Sequence, residues 1–259
     1  ELQAKGKLLD ASKCYKYLIN QVSKNAQVFS NYGTCLKNIG KLEEAESCYR
    51  RAIKIDPKYA MAYSNLGATL LNLGKLKDAE IFILKAIELN PKYTLAYFNL
   101  GCLLLNLGKL KDAEISFSKS IELNPDFVNP YLSLSSLKNQ RDNINWCKTL
   151  FSKKFLIKKT DNEKVDIYFA RANIFHREKS YQEAFINLQL ANNLKLEVKK
   201  SDLNYIIKKS SFLLTETDKR DKIFIKNTEK YSKNIFIVGM PRCGSTLVES
   251  ILSMNDKVI

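Results

Sequence analysis

The sequence predicts a mainly α protein: a solenoid of antiparallel helix pairs, followed by one strand–loop–helix unit of α/β type. Three observations predict it. Landmark residues recur every 34 positions: Pro57, Pro91 and Pro125; Gly33, Gly67 and Gly101; Gly40, Gly74 and Gly108; Ala45, Ala79 and Ala113. A fixed period of this length marks one supersecondary unit stacked on copies of itself. Between the landmarks, apolar residues keep helical spacing. Helical spacing gives way at Ile235 to Val238, a short apolar run of β-branched and aromatic residues that reads as a buried strand.

In each full unit an aromatic (Phe29, Tyr63, Tyr97) and a Leu or Tyr three residues on form the core face of the first helix. The Gly that follows lets the second helix approach closely. Ala45, Ala79 and Ala113 do the same from the second helix. Pro opens the next unit because it cannot continue a helix. One pair cannot bury its apolar face alone, and stacking buries it. Full units are expected at 26–59, 60–93 and 94–127. Gly6, Ala11 and Tyr15 lie 34 before Gly40, Ala45 and Tyr49, so residues 1–25 read as the second helix of a further unit. On this reading the chain begins mid-repeat.

Residues 128–164 drift. Tyr131 and Leu134 sit where a fourth unit would put them, but the Gly and Ala landmarks fail, so a divergent helical pair is expected, with Trp146 as a core anchor. Repeat character returns over 165–198, at Tyr168, Ala172, Phe175, Ala184, Leu188 and Ala191. Residues 199–233, rich in Lys, Ser and Thr, read as a basic helical connector.

The repeats closely resemble tetratricopeptide repeats (TPR), which implies a right-handed α-solenoid whose first helices line the concave side. Asn31, Asn65 and Asn99 recur on that side. The ladder resembles that of O-GlcNAc transferases, where amides hold a peptide backbone without reading side chains. It implies an acceptor protein or peptide on the concave face. The alternative is that Asn is simply a tolerated polar residue there. The Lys pattern of chaperone-type carboxylate clamps is absent.

Gly239 to Gly244 is a turn with Gly at both ends, and Thr246 to Leu252 shows one helical apolar face. Strand, tight loop and helix start aim backbone N–H groups at one point that suits a phosphate or sulfate. The spacing nearly matches the phosphate-loop pattern, but Ser245 stands where Lys is required, so ATP or GTP hydrolysis is not expected. Arg242 supplies the positive charge instead, with a planar fork that grips two anionic oxygens.

Gly239-Met-Pro-Arg-Cys-Gly-Ser-Thr-Leu resembles the 5′-phosphosulfate loop of sulfotransferases, chiefly bacterial proteins in which TPR repeats precede the sulfotransferase domain, and the tyrosylprotein sulfotransferases. It departs at Cys243 and Ser245, where the family usually has Ser and Thr. The thiol is a weaker donor; the backbone N–H is unaffected. The resemblance implies that residues 234–259 begin a P-loop-like α/β sulfotransferase domain. The cofactor would be 3′-phosphoadenylyl sulfate (PAPS), with no metal. Arg242 would hold the 5′-phosphosulfate, and the N–H groups of Cys243, Gly244, Ser245 and Thr246 would cradle the phosphate. The catalytic base and the 3′-phosphate grip are expected beyond Ile259, and Glu249 is no obvious substitute. By itself this stretch is then expected to be inactive, within a longer enzyme that transfers a sulfuryl group to a hydroxyl, such as a protein tyrosine. The alternatives are a TPR scaffold without catalysis, or a nucleotide-binding protein of another type.

The formal net charge of +15 is uneven: +2 over residues 26–127 and +9 over 141–233. A solvated basic face explains the second figure; attraction of an anionic cofactor or acidic peptide is the sharper reading. No nucleic-acid module is recognisable, so no specific nucleic-acid partner is expected. No run of 18 apolar residues occurs, so no membrane span is expected. The six Cys include no Cys-x-x-Cys and His176 is the single His, which argues against zinc. Cys14 and Cys48, 34 apart, read as small core residues of a reducing, cytoplasmic protein.

Overall fold

A computed structural model describes residues 8–21, 24–137 and 145–198, all of them in one compact unit. The expected connector and the strand–loop–helix at 234–259 lie outside the described residues. Every described element is a helix: α1 (Leu8–Gln21), then α2 (Ala26–Asn38) and α3 (Leu42–Ile55), α4 (Ala60–Asn72) and α5 (Leu76–Leu89), α6 (Thr94–Asn106) and α7 (Leu110–Leu123). Each helix packs on the next in sequence, and the first helices of successive repeats also touch, α2 on α4 and α4 on α6.

The landmark residues explain this regularity. Gly40, Gly74 and Gly108 have φ of 85°, 74° and 73°, the left-handed backbone that lets a helix stop and turn. In the second unit Gly74 N–H donates to Leu71 O at 3.1 Å and Lys75 N–H to Leu70 O at 2.9 Å, satisfying two terminal carbonyls. The second helices end differently. Asp56, Asn90 and Asn124 are extended, and their side chains accept the N–H two residues on at 2.9, 3.1 and 3.0 Å. Each loop spans Pro57, Pro91 or Pro125, which has no N–H to satisfy.

Gly33, Gly67 and Gly101 do bring the paired helices close. A Cβ at Gly67 would lie 2.5 Å from Ile83 Cγ1, and one at Gly101 2.5 Å from Phe117 Cε1. Ala45, Ala79 and Ala113 are completely buried on the facing helices. The core continues through Leu36, Tyr49, Leu66, Leu70, Ile83 and Leu103.

Where a helical pair is expected over 128–164, the described residues form three short helices: α8 (Asn129–Ser136), α9 (Asn145–Phe151) and α10 (Lys153–Leu156). Ser135 and Cys147 replace the landmark Gly and Ala, and Leu137 is already extended. Trp146 is a core anchor, edge-on to Tyr131 at 6.1 Å, and Tyr131 packs on Phe155 at 4.9 Å. Regular stacking resumes at α11 (Asp161–Arg177), which packs on α8, and α12 (Tyr181–Val198), which pairs with α11. A capping box opens α11: Thr160 Oγ1 accepts the Glu163 N–H at 3.3 Å, and the Glu163 carboxylate accepts the Thr160 N–H at 2.8 Å.

Two smaller expectations need correction or detail. Cys14 is exposed, not core, although α1 packs on α2. Cys48 is half-buried, and burial pushes its thiol to about 11; Cys102 stands at about 11 for the same reason. Both are therefore inert thiols near neutrality.

Candidate functional site

The ladder asparagines occupy one register on α2, α4 and α6, whose mutual contact makes them the inner row of the stack. Asn31 is half-buried, whereas Asn65 and Asn99 are only 8% and 7% exposed. Asn99 Nδ2 donates to Ser64 Oγ at 2.9 Å and to Ser64 O at 3.2 Å. That amide therefore joins α6 to α4. The same device joins α11 to α8: Asn173 Nδ2 donates to Ser135 Oγ at 3.0 Å. Asn99 is thus committed to the seam between repeats, which leaves little of it to meet a ligand.

A second ladder is exposed. Asn38, Asn72 and Asn106 end the first helices, 34 apart, each open to solvent. Asn106 Nδ2 donates back to Cys102 O at 2.9 Å. The 34-residue period marks these positions as clearly as the first ladder, but sequence periodicity does not tell the seam from the surface. Met61, 40% exposed, begins the same helix as Asn65 and accepts a hydrogen bond from the Tyr59 hydroxyl at 3.4 Å. Between these ends lie half-buried Ala68, Leu71, Cys102 and Leu105. Lys37 replaces the leucine in the first full repeat, and burial lowers its pKa. The row is amide at the rim and apolar along the middle, a surface suited to holding an extended chain.

Little reaction chemistry accompanies it. Among the described residues no three His, Cys, Asp or Glu gather as a metal site. His176 is exposed and sits edge-on to Tyr181 at 5.7 Å. Arg242, Cys243, Gly244, Ser245 and Thr246 lie outside the described residues. No described helix is long and apolar enough to cross a membrane.

Models of the tetratricopeptide repeat match residues 33–74, 60–93 and 82–115. The chain therefore contains tetratricopeptide repeats, and repeats of this kind make a protein–protein interaction scaffold. No curated protein matches the chain. Among solved structures it is similar to MamA, at 20% identity over 77% of this chain and 95% of that one, with a TM-score of 0.45. It is also similar to the first TPR of Spaghetti (RPAP3) bound to the HSP90 peptide SRMEEVD, at 28% identity over 45% of this chain and 92% of that one, TM-score 0.42. The Arabidopsis OM64 TPR domain matches at 25% identity over 43% of this chain and 93% of that one, TM-score 0.42.

Proposed function

We propose that the repeats hold a polypeptide along the α2–α4–α6 row and present it to a PAPS-dependent sulfotransferase centre whose cofactor loop is Gly239 to Thr246. The observation that supports the first half is the row itself, with exposed amides at Asn38, Asn72 and Asn106 and apolar side chains between them. The second half rests on sequence, on an Arg-bearing phosphate loop after a run of repeats. Arg242 would pair with the sulfuryl and phosphate oxygens, and the N–H groups of residues 243–246 would surround the 5′-phosphate. The reaction class is sulfuryl transfer to a hydroxyl in the cytoplasm, with an acceptor protein as substrate.

Calorimetry of the longer enzyme with PAPS and with ATP tests the cofactor. Binding of PAPS and not ATP is expected, and Arg242→Ala should weaken it by roughly 1.5–3 kcal/mol, the size of a lost charge-assisted contact. PAPS binding unchanged in that variant refutes the assignment. Equal binding of ATP favours a nucleotide-binding protein of another type. The second reading is a scaffold without catalysis; the stacked repeats alone favour it. Capture of a polypeptide by the longer chain without PAPS binding establishes that reading instead.

A further inference from the structure

Four lysines of the regular repeats have an acidic partner: Lys41 with Glu44 at 2.6 Å, Lys85 with Glu88 at 2.6 Å, Lys119 with Glu122 at 2.9 Å and Lys75 with Glu46 at 2.9 Å. The regular repeats carry nearly as many carboxylates as basic residues, and the α9–α10 segment does not. Residues 145–164 hold six lysines and two carboxylates. Both carboxylates are engaged, Asp161 with Lys164 at 2.9 Å and Glu163 with the Thr160 cap. Asp126, on the neighbouring turn, pairs with Lys159 at 3.4 Å. Lys148, Lys153, Lys154 and Lys158 remain exposed, with no ion pair among the described residues.

These lysines are organised around two further features. Lys148 and Lys154 line a recess of about 380 Å³ together with Thr149, Ser152, Phe155 and Asp126. Ile157 projects beside it, 62% exposed, between Lys154 and Lys158, and Lys158 holds a left-handed φ of 66° that turns the chain sharply there. Phe155, by contrast, is buried and fixes the segment to the core against Tyr131. A rigid base thus presents ammonium groups with no ion pair among the described residues, one hydroxyl in a hollow and one aliphatic knob.

We propose that this ridge, Lys148 to Lys158, docks an acidic polypeptide segment that carries an apolar residue among its carboxylates. The ammonium groups take the carboxylates, the hollow accommodates a side chain with the Ser152 hydroxyl as donor, and Ile157 meets the apolar residue. A flat lipid surface fits less well. It cannot enter the hollow, and a single exposed aliphatic residue gives little insertion. A nucleic-acid strand would be expected to meet aromatic stacking platforms, and Phe155 is buried. The ridge shares no residue with the inner row, so it stands whatever becomes of that reading.

The test uses the full chain and a fluorescent twelve-residue Glu-rich peptide with a central Leu, read by anisotropy. Raising NaCl from about 50 to 300 mM should weaken binding several-fold, because exposed charges are screened. Reversing Lys148, Lys153, Lys154 and Lys158 to Glu should weaken it about tenfold or more. Ile157→Ser should weaken the Leu peptide about fivefold and an all-Glu peptide hardly at all. Reversal of the exposed Lys58, Lys77, Lys92 and Lys109, which changes net charge equally, should leave most affinity intact. Thermal melts of both quadruple variants should match the wild type, since none of these lysines has an ion pair among the described residues. Equal loss in the two quadruple variants overturns the proposal. So does tighter binding to vesicles containing phosphatidylserine, or to single-stranded DNA, than to the peptide.

Discussion

Gly101→Ala is the sharpest test of how the helix pairs are held together. An added Cβ would lie 2.5 Å from Phe117 Cε1 and 2.6 Å from Cδ1, whereas ordinary contact begins near 3.4 Å, so the ring must retreat by almost 1 Å. It has little room to do so. Phe117 is completely buried and packs on Phe98 at 5.7 Å. Overpacking of this kind costs about 1–3 kcal/mol and also opposes the roughly 1 kcal/mol that Ala gains over Gly within a helix. The net expectation is a loss of about 1 kcal/mol, or a fall of about 2–4 °C in Tm for a unit of this size. Circular dichroism melts and urea titrations measure it. Ala172 and Leu188 stand at the corresponding places of α11 and α12, which points to the rescue. Gly101→Ala combined with Phe117→Leu should be more stable than the sum of the two single changes, by about 1 kcal/mol. A single variant as stable as the wild type, or strictly additive changes, would show that close approach is not what this glycine provides.

Other outcomes are expected from the same reasoning. Asn99→Ala should cost about 1–2 kcal/mol in a urea melt, because Ser64 loses its buried amide donor; lost polypeptide affinity at unchanged stability would instead make Asn99 a ligand contact. Lys179→Gly should raise stability by about 1 kcal/mol, since Lys179 holds a φ of 60° at the end of α11 where the regular repeats have glycine. Burial raises the Glu46 pKa, but hydrogen bonds from Lys75 and Arg50 outweigh it and leave the carboxyl below its usual value. Its stabilising effect is therefore complete above the unfolded value, about 4.3, and lost as pH falls through the lower folded value. Glu46→Gln should be less stable than the wild type at pH 7, and that difference should disappear in acid.

Much of the fold was legible in the sequence because its cause is local and repeated. Gly40, Gly74 and Gly108 mark left-handed turns, Pro57, Pro91 and Pro125 mark the loops between units, and Ala45, Ala79 and Ala113 mark the tight seams. The pairing of Asp56, Asn90 and Asn124 with the N–H two residues on was equally periodic, but the prolines beside them drew the reading. The segment at 128–164 was less legible. Once Ser135 and Cys147 replace the landmarks, nothing local says that α8 will pack on α11 across an irregular insertion. Nor could Cys14 be placed, since burial depends on a neighbouring helix and not on its own register.

By itself, then, the sequence determined the period, the helix boundaries set by Gly and Pro, the repeat class, and the phosphate-loop motif at Gly239 to Thr246 on which the sulfotransferase proposal rests. Tertiary structure decided which polar residues reach solvent. Asn65 and Asn99 share a periodic position and are buried, Asn99 bonded across the helix seam, while Asn72 and Asn106, seven residues further on, reach solvent. It also decided that Lys148, Lys153, Lys154 and Lys158 have no ion pair among the described residues, because ion pairing depends on which carboxylates the packing brings within reach. A repeating pattern fixes contacts within a unit; exposure and charge balance arise only once the units are stacked.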